Sequence, residues 1–144
     1  MTTIVASVKH RSMAADSKCT VGDLSFPSVK IYRINGALVG AAGDGAQCHS
    51  FLGWLRNQTR KRPDLDDFEA LVLNEDGLFY YERDCIPNPV RRDYHAIGSG
   101  AGPALAALIC GKTLKRAVEI ACEVDSQSGG PVEVIGLDEN NNND

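Results

Sequence analysis

Position 2 is a threonine directly behind Met1, opening the run Thr2-Thr3-Ile4-Val5-Ala6, and a chain start of this kind can carry chemistry. Methionine aminopeptidases remove Met1 when the next residue is small. The mature chain is then expected to begin with a hydroxyl and a free α-amino group on one residue. An α-amino group titrates near ~7.7 to 8.0, and a modest downward shift leaves much of it neutral, able to take a proton from its own hydroxyl. Nucleophile and base would be the same residue. The alternative is that Thr2 is an ordinary β-branched strand residue, and taken alone the segment favours that.

Other residues of the right type recur along the chain. In Met13-Ala14-Ala15-Asp16-Ser17-Lys18-Cys19-Thr20 an acid, Asp16, sits where an apolar strand ends, and strand ends are where a scaffold presents side chains. Lys30 stands between Val29 and Ile31. If those two face a core, Lys30 reaches solvent; if both faces are covered, it is buried and needs a carboxylate, for which Asp16 is the obvious candidate. Gly43 in Ala41-Ala42-Gly43-Asp44-Gly45 ends a strand and opens a helix, which can leave backbone N–H groups free for a developing oxyanion; a plain strand-to-helix turn reads the same. Gly98-Ser99-Gly100-Ala101-Gly102-Pro103 has a similar layout with a serine inside, but matches neither G-x-S-x-G nor a full dinucleotide fingerprint. Asp125-Ser126-Gln127-Ser128-Gly129-Gly130 closes a helix, and its acid and serine can bond locally or reach a site.

The elements that must position these residues follow from periodicity. Residues 2–8 and 12–16 read as a hairpin around Lys9-His10-Arg11, and Gly22-Asp23 breaks the pattern. Residues 28–34 and 37–42 are strands joined by Asn35-Gly36, a strong hairpin signal. Cys48, Phe51, Leu52 and Leu55 fall at helical spacing, predicting a helix over 46–60 that Pro63 ends. Residues 68–73 and 78–82 flank Asn74-Glu75-Asp76-Gly77 as a second hairpin; 86–92 reads as a loop and 94–97 as a strand. Helices are expected over 104–110 and 114–124, the second capped by Thr113, and a closing strand over 131–137. Strands, a helix, strands, two helices and a strand predict an α+β arrangement of antiparallel sheets covered by helices.

With 144 residues, 24% of them charged, and a formal net charge of −4, the chain is expected to form a single domain over 1–138 with a polar, disordered tail over 139–144. An acidic balance gives no reason to expect nucleic acid or an anionic membrane as partner. The one basic cluster, Arg56 to Arg62, reads as a solvated helix end. No apolar run is long enough for a membrane span and no leader pattern opens the chain, so the expected location is the cytoplasm. Five cysteines lack C-x-x-C spacing, which points neither to a disulfide framework nor to a metal; most are expected to be small buried hydrophobes.

Taken in order, these segments resemble the β-type subunits of the proteasome family, including the HslV peptidases, within the N-terminal-nucleophile (Ntn) hydrolases, over residues 2 to about 137. The resemblance implies a four-layer αββα sandwich of two antiparallel sheets. It makes Thr2 the nucleophile, Asp16 a buried acid, Lys30 the lysine that this acid holds near Thr2, and Gly43 the oxyanion-hole donor. Ser99, Asp125 and Ser128 match the polar group around the terminal amine. Thr20 falls where the backbone pairs with an extended peptide, and Ala41 where the primary specificity pocket is shaped. It further implies a threonine endopeptidase acting on polypeptides, without a cofactor, in a homo-oligomeric ring fed by an ATP-dependent unfoldase. A catalytically silent subunit of the same fold and a small-molecule amide hydrolase are the alternatives. The chain departs from the pattern in a shorter first hairpin and in lacking one outer helix after Gly43. The sheet beneath is then expected to be covered by a neighbouring subunit or to be polar on its outer face.

Overall fold

Apolar side chains in the first two strands alternate between two different cores, and that alternation sets the layers of the molecule. The computed structural model describes residues 1–139; the tail assigned to 139–144 lies, beyond Glu139, outside them. The chain runs as β1 (Ile4–Ser7), β2 (Ser12–Ala15), β3 (Lys18–Val21), β4 (Leu24–Pro27), β5 (Ile31–Ile34) and β6 (Ala37–Gly43), then α1 (Gly45–Asn57). It continues through β7 (Phe68–Asn74), β8 (Gly77–Tyr81), β9 (Asn88–Pro89) and β10 (Tyr94–Ile97) to α2 (Ala101–Ile109), α3 (Leu114–Val124) and β11 (Glu133–Gly136).

Two antiparallel sheets stack face to face. One has the order β10-β1-β2-β11, the other β5-β6-β7-β8-β9, and β3 and β4 form a separate hairpin. Ile4, Ala6, Met13 and Ala15 meet Leu38, Leu71, Leu73 and Leu78 between the sheets. Val5 and Ala14 point the other way, onto Ala104, Leu108, Val118 and Ala121 of α2 and α3. Val39, Ala70 and Val72 on the second sheet pack under Phe51 and Leu52 of α1. The layers are therefore α, β, β, α, as expected, with α1 alone on one outer face. That face is not bare: Leu65 from the segment after α1 and Cys85 from the loop after β8, both buried, join the same cluster. Connecting loops thus supply part of the cover, while Tyr32 and Phe79 at the edge of this cluster stay half-buried.

Local chemistry explains most boundaries and four corrections. Asn35 and Gly36 both take positive φ, +51° and +82°, the pairing that a two-residue turn between twisted strands requires. Asp44 caps α1 by accepting from the Gln47 N–H at 3.1 Å. The helix ends at Asn57, well short of Pro63, because Gln58 turns left-handed and its N–H closes on the Trp54 carbonyl. α2 starts at Ala101 rather than 104, since Pro103 in a first turn sacrifices no helical hydrogen bond. Gly22-Asp23 is the turn of the β3–β4 hairpin, not merely a break. Of the cysteines only Cys85 is buried, and Cys110 is exposed. At the far end from Thr2, Arg11 at the β1–β2 turn bonds Asp138 at 2.7 Å through two nitrogens and Glu75 at 2.9 Å. No helix among the described residues is long and apolar enough to cross a membrane.

Phe51 holds the α1 layer: it is 0% exposed and its ring lies 4.6 Å from Phe68 and 5.2 Å from Tyr81. Phe51→Ala is expected to cost about 3–5 kcal/mol, read from urea unfolding. A loss below about 1 kcal/mol would show that the loops, not the helix, carry this core.

Candidate active site

The start of β1 and the end of β2 are paired, and this brings Asp16 back to the chain start. Asp16 N–H donates to the Thr3 carbonyl at 3.1 Å, while Thr3 N–H donates to Asp16 Oδ1 at 2.9 Å. The shorter hairpin therefore leaves Asp16 in reach, since the register Ile4–Ala15 places the next pair at Thr3 and Asp16. Asp16 is 1% exposed and accepts further bonds from the Lys18 and Gly129 N–H groups.

Lys30 meets this carboxylate from the other sheet. Its Nζ lies 2.9 and 3.1 Å from the two Asp16 oxygens, and donates also to the Lys18 carbonyl at 2.6 Å and the Met1 carbonyl at 2.8 Å. Of the two readings of Lys30, the buried one holds. The simple alternation does not: Lys30 precedes β5, and Lys30 and Ile31 are both buried while Val29 is 56% exposed. A buried pair of this kind persists only when its remaining donors and acceptors are satisfied, and here backbone groups satisfy them.

A second polar group closes on Thr2 from the opposite side. Thr2 N–H donates to Ser99 Oγ at 3.2 Å, and Ser99 donates to Asp125 Oδ2 at 2.6 Å. Ser128, buried, donates to the same oxygen at 2.7 Å and contacts Thr3 Oγ1 at 2.7 Å. Burial pushes the Asp125 carboxyl up, but bonds from Ser99, Ser128 and the Gln127 N–H outweigh it and hold it below the ordinary range. Thr2 carbonyl receives the Gly100 N–H at 3.3 Å. Gly98 admits no side chain: φ is +95° and an added Cβ would stand 2.0 Å from the Thr2 oxygen.

Thr2, Lys30, Thr20, Ala41 and Gly43 line one cavity of about 830 Å³. Gly43 ends β6 with φ +121°, its added Cβ falling 2.2 Å from the Asp67 carbonyl, so only glycine fits. Gln47 braces that segment, its side-chain oxygen accepting from the N–H groups of Asp66 at 2.7 Å and Asp67 at 3.1 Å. Cys48 also lines the cavity, but burial and then the charges of Asp44 and Asp67 push its thiol up to about 11, which leaves it protonated and a poor nucleophile. All nine sequence-derived residues thus converge: five on the cavity, Asp16 beneath Lys30, and Ser99, Asp125 and Ser128 behind Thr2. Sequence reasoning missed Thr3, the Gly129 N–H and Glu69, whose carboxylate takes the Gly98 N–H. Only Glu69 carried a signal, as a charge inside an otherwise apolar strand.

The lowered Asp125 carboxyl makes a pH prediction. A folded-state value below the unfolded one adds stability above the ordinary carboxyl range, and that stability is lost as pH falls through the native value. The stability difference between wild type and Asp125→Asn, from chemical unfolding, is expected to be largest at neutral pH and to shrink below about pH 4. A difference that grows on acidification would contradict the sign.

No family model and no curated protein matches the sequence. Among solved structures, eukaryotic HslV from Trypanosoma brucei superposes with a TM-score of 0.75 at 21% identity, covering 92% of this chain and 97% of that one. The BPH of Thiobacillus denitrificans gives 0.72 at 19% identity, over 97% of this chain and 100% of the other. The same protein in complex with epoxomicin gives 0.67 at 20% identity, over 95% and 100%. At these identities the likeness is one of fold: the chain is built as the HslV-type αββα sandwich.

Proposed function

We propose that this chain is a threonine-type peptidase whose nucleophile is the Thr2 hydroxyl once Met1 has been removed. The observation that carries the reading is the Lys30 ammonium, fixed by buried Asp16 and donating to the Met1 carbonyl directly before Thr2. Removing Met1 takes away that acceptor. One Lys30 proton then points into the space beside the new terminus, where its charge favours loss of a proton from the hydroxyl and the amine. The Ser99–Asp125–Ser128 group holds the nitrogen that becomes this amine.

The reaction proceeds by addition and elimination. Thr2 Oγ attacks a peptide carbonyl carbon while its proton passes to the Thr2 amine; the resulting oxyanion is met by the Gly43 N–H. The amine then returns the proton to the departing peptide nitrogen, leaving an ester on Thr2. Water, giving a proton to the same amine, adds to the ester carbonyl; the C–O bond to Thr2 then breaks, the amine returns the proton to Thr2 Oγ, and the acid product leaves. Thr20 on the cavity wall pairs with an extended substrate backbone, and small Ala41 leaves room for a large apolar side chain. An open cavity flanked by the β3 strand favours a polypeptide over a small amide. Self-assembly into a ring, with delivery by an ATP-driven unfoldase, belongs to the same reading; exposed Val21, Leu24 and Phe26 on the β3–β4 hairpin support burial against another subunit.

Intact mass must first show Met1 absent. Protein so processed is expected to cleave short fluorogenic peptides and to bind epoxomicin, which the Thiobacillus denitrificans BPH binds; Thr2→Ala should do neither. Lys30→Ala should lose turnover and about 3 kcal/mol of stability while staying folded, because three backbone N–H groups still hold Asp16. Full turnover in either variant overturns the assignment, and a processed wild type that cleaves no peptide favours the silent-subunit alternative.

A further inference from the structure

Glu69 stands in β7 between Phe68 and Ala70, and both of its oxygens are engaged. Oε1 accepts from the Gly98 N–H at 2.6 Å and Oε2 from the Tyr80 hydroxyl at 3.0 Å. The first bond is short and comes from the loop after β10, a strand of the opposite sheet. Tyr80 is itself fixed, its ring edge-on to His95 at 5.6 Å. Burial and then the charge of Glu69 push the phenol up, which keeps it protonated and donating.

What Glu69 holds is the loop that holds the chain start. Gly98 lies so close to the Thr2 carbonyl that no Cβ fits, Ser99 takes the Thr2 N–H, and Gly100 donates to the Thr2 carbonyl. This loop follows β10, in the same sheet as β1, whereas Glu69 comes from the other sheet. Lys30 and Glu69 therefore reach Thr2's surroundings from one sheet by two routes: Lys30 through Asp16, Glu69 through the 98–100 loop.

We propose that Glu69 is a positioning residue for Thr2, fixing the Gly98-Ser99-Gly100 loop, and so the Thr2 nitrogen, against the five-stranded sheet. This rests on the reading of Thr2 as nucleophile. The role is one of reach and acceptor geometry rather than of charge. A glutamine keeps an oxygen for the Gly98 N–H and an amide to meet the tyrosine hydroxyl. An aspartate keeps the charge but withdraws it by one methylene.

Met1-free Glu69→Ala, Glu69→Asp and Glu69→Gln would be compared with wild type on a fluorogenic peptide, with amide NMR of Gly98 and Ser99 on the same samples. The alanine and aspartate variants are expected to lose about 10- to 100-fold in kcat with KM within about twofold, since small displacements of a reacting group cost that much. Their Gly98 amide proton should move upfield, and the glutamine variant should keep both turnover and shift near wild type. Wild-type kcat in the aspartate variant, or a glutamine variant as impaired as the aspartate, overturns the proposal. Should the alanine variant not fold, the aspartate and glutamine pair decides. If wild type cleaves no peptide, the enzyme reading fails separately; unchanged Gly98 and Ser99 resonances in Glu69→Asp would then refute the fixing of the loop itself.

Discussion

The structure around the chain start depends on one buried carboxylate. Asp16 gathers the Thr3, Lys18 and Gly129 N–H groups and the Lys30 ammonium within hydrogen-bond distance. These donors come from β1's approach, the strand after β2, the loop before β11 and the strand entry of the opposite sheet. Stripped of water, a carboxylate or ammonium here that lost its partner would cost several kcal/mol, and for Asp16 the three backbone N–H groups limit that cost. The pair is thus a weak source of net stability but a strong constraint on geometry. It selects the arrangement in which the two sheets meet at Thr2.

Around that constraint the fold leaves little freedom. Gly43 and Gly98 each lie against a backbone carbonyl that a methyl group would strike. The polar groups on the two sides of Thr2 differ in kind. Lys30 brings positive charge; Asp125, shared by two serines, holds negative charge without reaching Thr2 directly. Under the role proposed for Thr2, such a division would suit a residue whose amine and hydroxyl both change charge.

Much of this was legible in the sequence, and the failures have physical causes. The order of elements predicted antiparallel sheets covered by helices, the family resemblance implied their stacking as a four-layer sandwich, and Asn35-Gly36 named its own turn. Asp16 and Lys30 could be paired by chemistry alone, as the one buried reading of Lys30 that satisfies it. The end of α1 was misplaced because Gln58, not glycine, takes the left-handed conformation. The β3–β4 hairpin was missed because its strands bury no face: Leu24 is 75% and Val21 65% exposed, so no hydrophobic period marks them. Cover by Leu65 and Cys85 was invisible because isolated apolar residues in loops have no period either. Thr3 and the Gly129 N–H act through contacts distant in sequence, which local patterns do not encode; Glu69 showed as a charge inside an apolar strand, but its partners Gly98 and Tyr80 did not.

The Arg11 clasp at the opposite end of the sandwich obeys different physics from the Asp16–Lys30 pair. Its partners are surface groups, Glu75 at 75% and Asp138 at 69% side-chain exposure, in direct contact with Arg11 but open to solvent. Mobile ions screen such contacts and scarcely touch a dry pair. The sandwich therefore has one end that responds to ionic strength and one that does not, so salt can loosen the rim farthest from Thr2 while leaving the Asp16–Lys30 pair undisturbed.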